Sequence, residues 1–484
     1  MQDSFSSRGI LFSFISYQPA WILHMLIPIR KTCLNLTVIA GLLYVFPVYA
    51  QEADSDTELP QQSAELNNRL LYLDIGRVLE EGIDSVAPEP FYQEQPNPED
   101  DPQYSRREEG ISAYNSAVEE IEYIGGAWDR ALVEELFALG LLQQQQGDHD
   151  AAVETFDRAI HVNRINDGLH SLQQIPHVER ILDSYVALKD WENADLYNNY
   201  LFFIQRKAFG PNDPRIIPVL DRLANWNMQA FDLGYGDLLG LRLSSAQILF
   251  RAAVRMVSLH FGRSDERYVP LKTNIAKSAY LVSRYSNYTA EQQRPEFRNT
   301  EDRLLKSLNE RSRGPKSFRS GERALRDIVE YYIDESGSRY DIAVAITNLG
   351  DWYTIFDQRK PAGDRYTQAW QLLLTLDNSE ELIQQFFGQV APIPTFGKAA
   401  NPGKASSYDP ELEGLRSAYA DVIFDVTANG YVRNLQMSSE ITEQNSRLLS
   451  QLRRKVRNSS FRPLVIDGQP VISRGHQFRY RYWY

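Results

Sequence analysis

Between Arg107 and Val390 apolar residues recur at helical spacing, broken only by stretches of a few polar residues, so 107–390 is predicted as a helical domain. From Ala420 the period changes to two. Val422, Phe424 and Val426 alternate with Asp421, Asp425 and Thr427, the pattern of a half-buried strand. Asn429-Gly430 closes a hairpin into a second strand running from Tyr431 to about Met437. Thr442 to Arg457 is predicted as a helix, with Leu448, Leu449, Leu452 and Val456 on one side and cations in its last turn. Phe461-Arg462-Pro463 breaks that helix, Asp467-Gly468 turns the chain, and Val471 to Tyr482 forms the last strand. The expected fold class is mainly α, a helical solenoid followed by a small α+β domain of order ββαβ over 420–484. The prolines and glycines of 391–419 mark a linker. Upstream, Ala64 to Ile83 is predicted as an amphipathic helix and Pro88 to Tyr104 as a loop.

Two stretches of the helical part share a detailed pattern. Ala131 to Arg164 places Leu136, Leu139, Gly140, Ala152, Phe156 and Ala159 in a large, large, small, small, large, small order. Ala343 to Leu376 repeats it closely with Leu349, Gly350, Tyr353, Ala362, Tyr366 and Ala369. Small residues let two antiparallel helices cross closely while the large ones fill the gaps beside them. The pattern resembles the tetratricopeptide (TPR) repeat. Phe209-Gly210 and Phe261-Gly262, each followed by Asp and Pro, resemble longer variants of that repeat. Four to six helical pairs are expected, and Ser286 to Gly321 reads as an exposed insertion. The resemblance puts Glu134, Phe137, Leu141 and Gln144, then Val344, Thr347 and Asp351, on the concave wall. The alternative for Phe137 and Leu141 is packing against the next helix. The wall lacks the Lys/Asn set with which TPR chaperone adaptors clamp a peptide carboxylate.

The last 65 residues carry a second likeness. The V-x-F-x-V strand, Gly430, Val432, Ser438-Ser439, Phe461-Arg462-Pro463, Asp467-Gly468, Pro470-Val471 and Phe478 together resemble the TonB carboxy-terminal domain. That resemblance implies that the final strand accepts an extended peptide from a partner. Its alternation is predicted to put Ile472, Arg474, His476, Phe478, Tyr480 and Tyr482 on one face, and Gln477, Arg479 and Arg481 on the other. Arg474, Gln477, Arg479 and Arg481 are therefore the candidate partner-binding residues, with a preference for acidic peptides. A membrane-energising TonB carries a long spacer. Here the linker, at ~3.3 Å per residue, reaches only some tens of ångströms.

Charge and composition narrow the function. The chain has 484 residues, a hydrophobic content of 43% and a formal charge of -13, which argues against nucleic acid as a partner. Gln51 to Gly110 holds 16 acids against 4 bases, and Asp421 to Tyr484 holds 5 acids against 10 bases. The acidic stretch 51–106 is predicted to be partly disordered. Arg30-Lys31, the apolar run Leu34 to Phe46 and Val48-Tyr49-Ala50 read as a signal peptide over 1–50, with Met25 as an alternative start. Cys33 is the only cysteine and lies in that leader, so neither a disulfide nor a thiolate site is expected. No G-x-S-x-G, P-loop, H-E-x-x-H or paired cysteine occurs, and no catalytic, cofactor or metal residue is assigned. The expected function is a periplasmic, non-enzymatic scaffold whose solenoid and terminal domain each bind a protein or peptide. The competing expectation is a TonB-type energy transducer held in the inner membrane by an uncleaved leader.

Overall fold

The computed structural model describes residues 74–79, 82–83, 101–310, 317–336, 338–395, 417–439 and 446–483. The leader falls outside them, as do most of the acidic stretch and most of the linker. The described chain is mainly helical, with a small sheet portion at its carboxy-terminal end. An opening helix α1 (Tyr104–Gly125) packs on α2 (Leu132–Gln145), which pairs with α3 (His149–Asp167). The pairs α4 (Ile175–Ala187) with α5 (Trp191–Phe209) and α6 (Ile217–Asp232) with α7 (Leu239–His260) follow. Next, α8 (Tyr268–Arg284) pairs with α11 (Ser317–Tyr331), the short helices α9 (Tyr288–Gln292) and α10 (Pro295–Ser307) lying between them in sequence. The last pair is α12 (Arg339–Ile355) with α13 (Arg359–Leu373), followed by α14 (Ser379–Phe387). The described residues thus hold five helical pairs, within the expected range.

One turn marks the period. Gly126, Gly168, Gly210 and Gly262 all take positive φ, between 86° and 95°. Three residues after each, Asp129, Ser171, Asp213 or Asp265 accepts a hydrogen bond from the backbone N–H two positions further on. The first three of these glycines are spaced by 42 residues and the last by 52, so the units are longer than the 34 residues of the stretches matched above. Inside the first two pairs, Asp148 and Asp190 cap α3 and α5 by accepting from Ala151 and Asn193 N–H. At two turns an aromatic clip is added. Arg215 chelates Asp213 and lies 4.1 Å from the Phe209 ring centre, and Arg267 does the same with Asp265 and Phe261 at 4.5 Å.

The small positions sit where close crossing was expected. A Cβ on Gly140 would lie 2.5 Å from Phe156, and one on Gly350 2.7 Å from Tyr366. The insertion differs from its expectation. Tyr288, Phe297, Leu305 and Leu308 are buried, and Glu291 and Glu301 accept from the Gly240 N–H and the Ser244 hydroxyl of α7, both at 2.6 Å. A few well-placed apolar residues, hidden in a polar sequence, dock this segment instead of exposing it.

The carboxy-terminal portion is a five-stranded sheet in the order β2-β1-β9-β4-β5. β4 (Ser417–Val426), β5 (Val432–Ser439) and β9 (Ser473–Trp483) come from the region read as strands, and α15 (Ser446–Asn458) from the region read as helix. The core joins Val422, Phe424, Val426, Leu452, Val456, Phe461, Phe478 and Tyr480. Burying each such side chain contributes about 1.5–3 kcal/mol. β1 (Asp74–Leu79) and β2 (Gly82–Ile83) stand in place of the carboxy-terminal part of the helix predicted over 64–83, whose other residues lie outside those described. Gly76 and Gly82 weaken a helix there, and pairing to β9 supplies the backbone partners that a helix would have given.

Close crossing leads to a test by thermal denaturation. Gly140→Leu and Ala369→Leu should each lower the melting temperature, at a cost of roughly 1–3 kcal/mol or more. Gly363→Ala should not, because its Cβ meets nothing within 4 Å. Unchanged melting in the first two variants would show that these are not close-approach positions.

Candidate protein-interaction site

The linker residues that are described do not behave as a spacer. β3 (Ala391–Pro392) pairs with β6 (Phe461–Arg462), and Val390 is part of the core of the sheet. β7 (Leu464–Ile466) and β8 (Gln469–Val471) form an extra hairpin through Asp467-Gly468, both residues at positive φ, which is the two-residue turn that Asp-Gly favours. Its tip rests on α13, where the Thr367 hydroxyl donates to the Gly468 carbonyl at 2.6 Å. Gly430, in the β4–β5 turn, packs against both sides of the junction. A Cβ there would lie 2.2 Å from the Phe461 carbonyl oxygen and 2.7 Å from the Thr354 methyl of α12.

At the centre of this junction Arg462 meets Asp351. Nε donates to Oδ1 at 2.8 Å and Nη2 to Oδ2 at 2.5 Å, a bidentate pair. Asp351 is fully buried and Arg462 is 7% exposed. Nη1 also donates to the Phe386 carbonyl at 3.2 Å and Nη2 reaches the Thr395 hydroxyl at 3.4 Å, while Tyr366 donates its hydroxyl to Asp351 at 2.9 Å. Burial alone pushes the Arg462 pKa down, but the Asp351 carboxylate outweighs it and the pKa stands raised. Burial, reinforced by the same carboxylate, also keeps the Tyr366 hydroxyl well above its ordinary range. The site is therefore a charged, hydrogen-bonded clamp between the last helical pair and the sheet.

The candidate residues are distributed unevenly. Glu134 is exposed on α2. Phe137 and Leu141 are half-buried, and Phe137 packs on the His177 ring of α4 at 5.0 Å, the neighbour-packing alternative. Gln144 also reaches α4, donating to Arg180 O and Ser184 Oγ. Thr347 and Asp351 do not line an open wall. Thr347 is buried and donates to the Ala343 carbonyl, and Asp351 is covered by the docked sheet. On β9, Gln477 is exposed and Phe478 and Tyr480 are buried, as alternation requires. Arg474 is not on their face. The ladder to β4 slips between Phe424 and Val426, and Gly475 takes φ +72°, so Ser473 turns inward and Arg474 is exposed. Arg479 is held by Asp421 of β4 at 2.6 and 2.8 Å and lies over the Tyr419 ring. That hydrogen-bonded pairing keeps the Asp421 pKa below the ordinary carboxylate range. Arg481 stands opposite Asp74 in the register with β1, so the outer edge of β9 is not open there.

Sequence reasoning took Arg462 only as part of the Phe461-Arg462-Pro463 helix break and TonB-like motif, and Asp351 only as a wall residue. The available signal was a lone arginine flanked by Phe461 and Pro463, and a lone acid in the apolar run of α12. Neither a protein-family model nor a curated protein sequence matches the chain. Among solved structures it is similar to the crystal structure of BtubC (BKLC) from P. vanneervenii, at 13% identity and a TM-score of 0.32, over 57% of this chain and 94% of that one. So distant a likeness has no bearing on the site. Among the described residues no group of three or more His, Cys, Asp or Glu is arranged to hold a metal ion, and no helix is long and apolar enough to cross a membrane.

Breaking one side of the clamp leaves a buried unpaired charge. Arg462→Met or Asp351→Leu should each cost about 3–5 kcal/mol in urea denaturation, and the double variant should regain much of that loss. Strictly additive single effects would mean that the two groups do not act as a pair.

Proposed function

We propose that this chain is a periplasmic, non-enzymatic scaffold of the tetratricopeptide class with a TonB-like terminal domain. In this reading the helical pairs hold one protein partner and the outer edge of β9 takes a strand from another. The observation that carries the proposal is the buried Arg462–Asp351 clamp. An energy transducer works by presenting a free terminal domain on a long tether. Here the domain is seated against α12, α13 and α14 by the clamp, the β3–β6 ladder and the β7–β8 tip, which suits a fixed geometry between two binding surfaces. Two further features support it. Glu134 stands exposed on the first helical pair, and β9 accepts a strand antiparallel to itself. Backbone pairing of that kind gives affinity, and the flanking side chains give selectivity.

Photo-crosslinking residues placed at Glu134 and at Gln477 in the full chain, expressed in cells, would test this. We expect adducts with a protein at each position and a product that has lost its first 50 residues. Full-length protein in the inner membrane, with Gln477 adducts that depend on the membrane potential, would favour the transducer. Absence of protein adducts at both positions would remove the scaffold reading.

A further inference from the structure

We propose that the hairpin β1–β2 is a resident competitor on the terminal sheet, filling the edge of β9 that a partner strand takes only by displacing it. This rests on the strand-addition reading above. β1 lies antiparallel to β9 with Asp74 opposite Arg481, Ile75 opposite Tyr480, Gly76 opposite Arg479 and Arg77 opposite Phe478. The same residues of β9 pair with β4 on their other side, so this stretch is a central strand only while β1 is present.

The opposite margin of the sheet is a poor alternative for a partner. β5 carries a register slip facing Ile423 and Asp425, and Asn434 within it takes φ +51°. A bulge of that kind twists an edge strand away from further pairing. Phe478 to Arg481 of β9, by contrast, keep an unbroken register with β4, and the occupant of their other side is short. Four residue pairs join β1 to β9, and two more close β1 on β2. So small a hairpin is marginal by itself. The chain connects Ile83 to the helical part through residues 84–100, so the hairpin is tethered and acts at an effective concentration on the order of 1 mM. The tether, more than the ladder, keeps it in place.

The register also says what a competing strand should look like. Opposite Arg481 the resident strand offers an acid, and opposite the buried Tyr480 an apolar residue. Opposite Arg479, whose guanidinium is already engaged by Asp421, it offers a glycine. The favoured partner is an extended segment reading acidic, apolar, small.

A labelled peptide with the sequence of residues 72–85 serves as the probe, read by fluorescence anisotropy against two proteins. One is the full chain, and the other is the full chain with residues 74–83 replaced by a Gly/Ser linker of equal length. The replaced chain should bind the peptide one to one, and the full chain roughly tenfold or more weaker. Arg481→Glu in the replaced chain should weaken binding. Equal affinity for both proteins would overturn the resident competitor while leaving strand addition intact. Binding to neither would overturn strand addition at β9 itself. A full chain that runs as a dimer and becomes monomeric on replacement would show the hairpin exchanged between two copies, which also overturns a competitor in cis.

Discussion

Everything distinctive about the carboxy-terminal half depends on burying one arginine beside one aspartate. Asp351 is the one charged residue among the buried residues of its helix, and it is fully buried. Left alone it would be a costly buried charge. Arg462 meets both carboxylate oxygens, and the Phe386 carbonyl and Tyr366 hydroxyl complete the shell. Such a pair adds little net stability over apolar side chains of the same size, because both ions are desolvated. What it adds is position. A sheet shifted by one residue along α12 would leave two unpaired charges buried, so the pair fixes the seat.

Around that constraint the other contacts fall into place. β6 carries Arg462 and is itself held by β3, so the chain leaving α14 is paired at the very start of the linker. The β7–β8 turn touches α13, and the β4–β5 turn touches both β6 and α12. The result is a helical array whose last pair is closed by the sheet. Exposed residues such as Glu134 therefore lie on the earlier helical pairs, whereas Thr347 and Asp351 are covered.

The parts legible in the sequence were those set by local periodicity. The alternation of Val422, Phe424 and Val426, the Asp-Gly turn at 467–468 and the small residues at 140 and 350 each placed an element or a close contact correctly. The parts that were not legible depend on contacts distant in sequence. Arg462 and Asp351 lie 111 residues apart, and neither neighbourhood alone announces the other. The strand at 74–79 is made by the edge it joins, which lies some four hundred residues downstream. The bulge at Gly475 moved Arg474 to the opposite side, an outcome that simple alternation cannot foresee. The docked insertion at 288–308 hid four buried apolar residues in a polar stretch.

The docked arrangement is tested most directly by measuring distances between its two halves. A chain beginning at Gln51 contains no cysteine, so spin labels can be placed singly at Gln173 on the helical part and Gln436 on the sheet, both exposed. Pulsed electron resonance should give one narrow distance distribution, and Arg462→Ala should broaden it. A broad distribution in the unaltered chain, indistinguishable from that of Arg462→Ala, would contradict the clamp.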